Sequence, residues 1–252
     1  MQVSERRILG RALLARLVRG PVWLGPEPGP EGLRPLYRAI RAAYRPRRLR
    51  PLLWTPELPE RPEGAALLAG LGLRPMVTGY STAWLDLRQP EEALRAGLHG
   101  KWRNGLKAAE AAGLEIRSGE PEALDWLLDR HEGQRRRRRL VAPRDAFVRA
   151  LVADRPGIEG HCLLRACLDG RPISGALFIR HGASATYEVA WSGTEGRRHE
   201  AQSLVLWQGL LALKRRGLSW LDLGGLTSAA PGLARFKLGL GAEPVTLLGT
   251  YL

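Results

Sequence analysis

Hydrophobic positions along the chain switch between a helical and a strand repeat, and the switches mark out its elements. Residues 31–45 put Leu33, Leu36, Tyr37, Ile40 and Tyr44 at helical spacing, with an arginine-rich outer face. A long helix is expected over 90–112, closed by Gly113 as its C-terminal cap. Another runs over 121–139, with Leu124, Leu127, Leu128 and His131 on its inner side. The helix over 200–216 sets Leu204, Trp207 and Leu211 on one face, and shorter helices are expected over 64–71 and 231–238. Apolar runs bounded by turn residues predict strands over 17–24, 50–54, 76–87, 114–117, 160–168, 173–180, 185–191, 218–223 and 245–252. Asp169-Gly170 and His181-Gly182 supply the tight turns of a three-strand meander. Gly20-Pro21 puts the first strand at a sheet edge or a bulge, because proline donates nothing to a ladder.

This order predicts an α/β protein with a mixed sheet, in two parts. Residues 89–252 hold meander, helix, strand, helix and strand, a complete unit. Residues 1–88 hold about one layer of helix and strand, too few strands for a stable sheet of their own. A partial first unit followed by a complete second one is the expected plan. No repeat period of a solenoid interrupts it.

Composition narrows the class. The content is 44% hydrophobic, with glycine and proline well spaced, which fits a globular chain. Only Lys101, Lys107, Lys214 and Lys237 among the 39 basic residues are lysines, a bias that a GC-rich genome explains. Codon bias does not explain the net charge of +14, whose field attracts polyanions such as tRNA, nucleotide-linked substrates or an anionic membrane surface. Cys162 and Cys167 lie five apart in an apolar strand, facing opposite ways, and read as core residues of a cytoplasmic protein. The five histidines (His99, His131, His161, His181, His199) show no zinc spacing, so no metal is expected. Arg11 and Arg16 interrupt the apolar part of the N-terminal segment, which argues against a signal peptide and leaves peripheral attachment open. No stretch approaches the ~20 uncharged apolar residues of a spanning helix.

The chemistry gathers at the C-terminal strand, turn and helix. Asp222-Leu223-Gly224-Gly225 ends a strand, and Phe236-Lys237 follows on a short helix. Such a junction brings backbone N–H groups and a cation to one place, where an anion can sit. Asp222 can orient the glycine turn through a cap-like bond. Upstream, Arg135, Arg136, Arg137, Arg138 and Arg139 end a helix. The run reads either as a solvated helix end favoured by the macrodipole or as a phosphate grip, since guanidinium binds phosphate in a bidentate way. No aromatic residues interleave with it, so base stacking is unsupported.

The DxGG turn and the segment Phe236-Lys237-Leu238-Gly239-Leu240-Gly241 resemble the closing motifs of the Fem-type peptidyltransferases, tandem units of the GNAT-type N-acyltransferase fold. His99 to Gly113 resembles that family's basic, then alanine- and glutamate-rich segment. Residues 84–252 carry the resemblance well and 17–83 loosely, with the opening of the first repeat missing. The resemblance implies an aminoacyltransferase that takes its acyl group from aminoacyl-tRNA. The acceptor is an amine, as in a nucleotide-linked peptidoglycan precursor or a small metabolite. It implies Lys237 as the cation facing the substrate channel, Phe236 as a channel wall and Tyr187 as a hydrogen-bond donor on the central strand. Arg103 is expected at a phosphate, and Asp222, Gly224 and Gly225 at the substrate turn.

An acetyl-CoA-dependent GNAT enzyme needs a loop of the form (Q/R)-x-x-G-x-(G/A), whose N–H groups hold pyrophosphate at a helix N-terminus. Counted from Arg197, the glycine position holds Glu200, a carboxylate that repels pyrophosphate. No triad or covalent nucleophile is evident, and an activated ester does not require one. Expected cofactors are therefore none, with charged tRNA as co-substrate. Two alternatives stay open: an acyl-CoA-dependent N-acyltransferase, and a non-catalytic basic scaffold for RNA.

Overall fold

The computed structural model describes residues 3–8, 11–21, 28–44, 51–119, 122–138, 142–154, 156–157 and 159–252. The chain divides into two compact units, Met1–Ser81 with Val245–Leu252, and Thr82–Pro244. A boundary was expected after residue 88, with everything beyond it in one unit. Instead the closing residues belong with the first unit.

In that unit β1 (Ser4–Ile8) and β2 (Arg11–Val18) form an antiparallel hairpin, and β2 runs parallel to β3 (Leu52–Thr55). The sequence reading assigned no element before residue 17. Yet β2 alternates: Ala15 and Leu17 are buried while Arg16 and Val18 face out. Of the strand expected over 17–24, residues 22–24 lie outside the described residues, as does Arg50 of the strand expected over 50–54. The helices are α1 (Pro30–Ala43) and α2 (Pro62–Gly70). Leu33, Tyr37 and Ile40 of α1 join Leu67, Leu68 and Trp54 in the core, where the Tyr37 and Trp54 rings lie 4.6 Å apart.

The strand expected over 76–87 is two strands, β4 (Pro75–Val77) and β5 (Ser81–Asp86). Gly79 lies between them, where a Cβ would fall 1.6 Å from the Leu247 carbonyl oxygen, so only glycine lets the backbones pass. The last strand, β12 (Thr250–Tyr251), pairs with β3 and β4, giving a five-stranded sheet in the order β1-β2-β3-β12-β4. This corrects the expectation that the first part had too few strands. The N-terminal hairpin and the C-terminal strand supply the rest.

In the second unit the helix expected over 90–112 is two helices, α3 (Glu91–Ala96) and α4 (Gly100–Ala111). The break lies where the His99 N–H bonds the Gly239 carbonyl oxygen at 2.9 Å. Next come β6 (Glu115–Ser118), α5 (Ala123–Arg138) and α6 (Asp145–Asp154), the last unassigned from sequence. The meander is β7 (His161–Leu168), β8 (Arg171–His181) and β9 (Ser184–Ser192). A short turn of helix, α7 (Thr194–Arg198), leads into α8 (Ala201–Arg215). The chain then forms β10 (Trp220–Gly225), α9 (Pro231–Gly239) and β11 (Glu243–Thr246). The expected strand over 245–252 is thus split between β11 and β12.

Seven strands make one mixed sheet in the order β11-β5-β10-β9-β8-β7-β6. On β7, Cys162, Leu164 and Ala166 face one core with α3, α4 and α8, while Leu163 faces the other with α5 and α6. Both cysteines are buried and free. Helix α8 is buried on more than the one face its spacing suggested. At Gly209 a Cβ would stand 2.3 Å from the Phe178 ring, so the helix lies directly on the sheet.

Candidate active site

The site begins where two parallel strands part. The β9–β10 ladder pairs Ser184, Ala185 and Thr186 with Trp220, Leu221 and Asp222, and no pair follows. Past that point β9 carries a bulge: Leu177 and Phe178 of β8 face Val189 and Tyr187, leaving Glu188 as the extra residue. Strand β10 turns at Gly224, whose φ of 76° is left-handed. A Cβ there would lie 3.6 Å from Lys237 Nζ and 4.0 Å from the Tyr187 carbonyl oxygen. The Lys237 ammonium thus reaches into the gap between the strands.

Lys237 is 6% exposed, and its Nζ donates to the Gly225 carbonyl oxygen at 2.8 Å. Burial lowers its pKa, and the Asp222 charge opposes that shift. Asp222 is buried. It accepts from the Thr82 hydroxyl and, at 2.7 Å, from the Gly224 N–H, the cap-like bond expected of it. Glu188, which sequence reasoning missed, makes no hydrogen bond or ion pair among the described residues. Burial, then the Asp222 charge, raise its pKa. Its signal was faint, because a bulge shows only as an off-phase residue in a strand.

Tyr187 accepts from Gln202 Nε2 at 2.9 Å, and Gln202 Oε1 accepts from the buried Ser174 hydroxyl at 2.7 Å. With its oxygen accepting from Gln202, the phenol keeps its own proton for another acceptor. Burial pushes its pKa well above the ordinary tyrosine value, so it acts as a neutral donor. Tyr187 and Gln202 line a cleft of about 440 Å³ with Trp191, Phe236, Leu233 and Ala190, whose polar rim is Gln134, Ser192, Arg197 and Glu200. Phe236 is seated against Trp102, ring centroids 5.8 Å apart. It shapes the cleft wall, while Lys237 points into the strand gap instead of lining the cleft.

The expected basic residues are placed differently from one another. Arg103 Nη2 donates to the Ala96 and Leu98 carbonyl oxygens at 3.1 and 2.8 Å, which ties it to the end of α3. On α5, Arg135 and Arg136 both bind Glu132, and these bonds hold its pKa down at about 2. Arg137 is exposed with no partner among the described residues. Arg138 closes the helix, and Arg139 lies outside the described residues. Their neighbour Gln134 lines the cleft, so the run begins at its edge.

The segment before α8 is a helical turn, not a glycine loop, and Glu200 stands at the helix N-terminus with φ of 50°. Glu200 is exposed, is one of the residues lining the cleft, and its carboxylate makes no capping bond. A pyrophosphate at the α8 N–H groups would meet that charge. Among the described residues, no group of three or more His, Cys, Asp or Glu could hold a metal ion.

The family profile described as an acetyltransferase (GNAT) domain matches residues 95–243. The chain belongs to the GNAT family. Its fold is shared with FemX at a TM-score of 0.75 and 12% identity, over 99% of this chain and 87% of FemX. A C-terminal DUF2156 domain from Agrobacterium fabrum, described as that of a lysylphosphatidylglycerol synthetase, aligns at TM-score 0.56 and 16% identity, over 94% and 75% of the two chains. A tandem GNAT protein from clavulanic acid biosynthesis aligns at 0.52 and 19%, over 97% and 80%. At these identities the likeness is one of fold. No curated protein sequence matches the chain. The mixed α/β GNAT-like fold and an acyltransferase assignment stand on these findings. Among the described residues, no helix is long and apolar enough to cross a membrane.

Proposed function

We propose that this GNAT protein is an aminoacyltransferase that moves an aminoacyl group from tRNA to an amine, forming an amide in the cytoplasm, where charged tRNA is made. One observation carries the choice of donor: the exposed Glu200 side chain at the N-terminus of α8, on the rim of the cleft, where a CoA pyrophosphate would need a positive or neutral surface. The Fem-type motifs around Asp222 and Lys237 support the same reading, as does the surplus of positive charge.

In this reading the ester end of the donor enters the cleft and its carbonyl carbon lies at the parting of β9 and β10. The acceptor nitrogen attacks that carbon, its proton passes to the Glu188 carboxylate, and the carbon–oxygen bond to the tRNA ribose breaks. The leaving ribose oxygen takes a proton in turn, so one amide and one free hydroxyl result. Tyr187 donates to the developing oxyanion from the cleft side, and the Lys237 ammonium, fixed by the Gly225 carbonyl, adds positive potential from the strand gap. Arg137 and its neighbours at the cleft edge supply phosphate contacts for the tRNA stem.

The GNAT profile favours a second reading, an acyl-CoA-dependent N-acyltransferase. Calorimetry separates the two. The aminoacyl-tRNA reading expects no saturable acetyl-CoA binding together with salt-sensitive binding of charged tRNA. Stoichiometric acetyl-CoA binding without tRNA binding would overturn it.

A further inference from the structure

Glu200 does more than exclude an anion. It occupies a left-handed conformation that a non-glycine residue adopts only at a cost, directly before a helix of 15 residues. The backbone there holds a charged side chain where glycine would be easier. The carboxylate is not spent on the protein. It makes no capping bond, and no cation pairs with it among the described residues. Arg197, three residues earlier and in the same cleft, donates instead to the Ser192 carbonyl oxygen at 2.8 Å and the Thr194 hydroxyl at 3.4 Å. Glu31, Glu110, Glu115 and Glu132 each have a guanidinium partner, whereas Glu200, like Glu188, has none among the described residues.

The carboxylate also lies against helix α4, at ordinary contact distance. Helix α4 presents Gly105 to the carboxylate, and a Cβ at that position would lie 3.4 Å from Glu200 Oε2. The cleft also holds three aromatic side chains, Tyr187, Trp191 and Phe236, beside Leu233 and Ala190 and the polar Gln134, Ser192, Arg197 and Gln202. An exposed carboxylate beside a cleft that holds aromatic side chains can receive an ammonium group, which gains a charge-assisted hydrogen bond to the carboxylate and attraction from ring faces.

We propose that Glu200 is a specificity residue that holds the α-ammonium of the aminoacyl donor. This rests on the aminoacyl-tRNA reading above. An aminoacyl ester carries a cation one carbon from its reacting carbonyl, whereas acetyl-CoA has none there and brings a pyrophosphate instead. One carboxylate at the α8 terminus therefore selects for the first donor and against the second.

The probe is a cytidine-cytidine-adenosine trinucleotide bearing an amide-linked aminoacyl group, prepared for a panel of amino acids with the α-amine either free or N-acetylated. For at least one amino acid the native protein should bind the free-amine form about tenfold or more tightly than the acetylated one. Glu200→Gln should bring that ratio close to one, and Glu200→Asp should keep part of it. Glu200→Gly, which suits the left-handed backbone and therefore should fold at least as well, should gain measurable binding of CoA and inorganic pyrophosphate. If native protein binds the mimics but ignores acetylation, or Glu200→Gln keeps the ratio, the assignment of Glu200 is overturned while the donor reading stands. If no mimic binds in either form, the donor reading fails and takes the assignment with it.

Discussion

Lys237→Met is the perturbation whose consequences the structure defines best. Methionine keeps the aliphatic stem among the same neighbours but removes the ammonium that donates to the Gly225 carbonyl oxygen at 2.8 Å. A buried carbonyl left without its donor costs about 1–3 kcal/mol. Against that, the variant is relieved of holding an ammonium in a site 6% exposed, where burial already lowers the lysine pKa. The net loss should be about 1 kcal/mol, a fall in melting temperature of roughly 2–4 °C for a chain of this size. Chemistry should suffer far more, because a fixed positive charge beside the reacting carbonyl is gone: turnover should drop about a hundredfold or more.

The pH dependence gives a separate signature of the same group. Because Lys237 titrates below its ordinary 10.5 in the folded state, the unfolded chain binds more protons in the window just under 10.5. Native stability should therefore rise with pH through that window relative to Lys237→Met. Melting curves from pH 8 to 10.5 and single-turnover transfer assays measure the two effects. Equal turnover in variant and parent would refute the catalytic role and leave Lys237 as a tie between α9 and the Gly224-Gly225 turn.

Other outcomes follow from the same geometry. Glu188→Gln should lower turnover about a hundredfold or more and remove the acid limb of the pH–rate profile. That limb lies above 4.5 because burial and Asp222 raise the Glu188 pKa, so activity rises as the carboxylate deprotonates, and an unchanged limb would exclude Glu188 as proton acceptor. Gly224→Ala should destabilise by about 1 kcal/mol at its left-handed φ while leaving Lys237 Nζ in place, since the added Cβ would stand at an ordinary contact distance of 3.6 Å; melting curves measure the loss. Arg137→Gln should reduce the salt slope of tRNA binding by about one, whereas Arg135→Gln should change it less because Arg135 is paired with Glu132; equal effects would contradict that division.

Much of the second unit was readable from sequence because its meander strands and its long apolar helix α8 hold one period over most of their length, the bulge at Glu188 excepted. The first unit was not. Its sheet is completed by the hairpin of β1 and β2 and by β12 from the far end of the chain, and no local pattern encodes a pairing between Tyr251 and Trp54. Breaks at Gly79 and at Gly97 to His99 were missed for a related reason. Each is set by a backbone that approaches from elsewhere, Leu247 in one case and Gly239 in the other. In the site, the motif residues Asp222, Gly224 and Lys237 do meet, while Tyr187 reaches the gap only with its backbone carbonyl and its side chain lines the cleft. Arg103 gave a clear sequence signal as a cation, yet in the fold it is occupied by helix carbonyls. Glu188 gave almost none, because its position depends on a bulge that only pairing with β8 reveals.

The most direct measurement of the central claim is transfer itself. Purified protein is incubated with a panel of tRNAs carrying radiolabelled amino acids and with a small-molecule extract, and label is followed into a base-stable amide. The account expects transfer from at least one charged tRNA, none from labelled acetyl-CoA, and loss of transfer in Lys237→Met. Label arriving from acetyl-CoA, with every charged tRNA left intact, would contradict it.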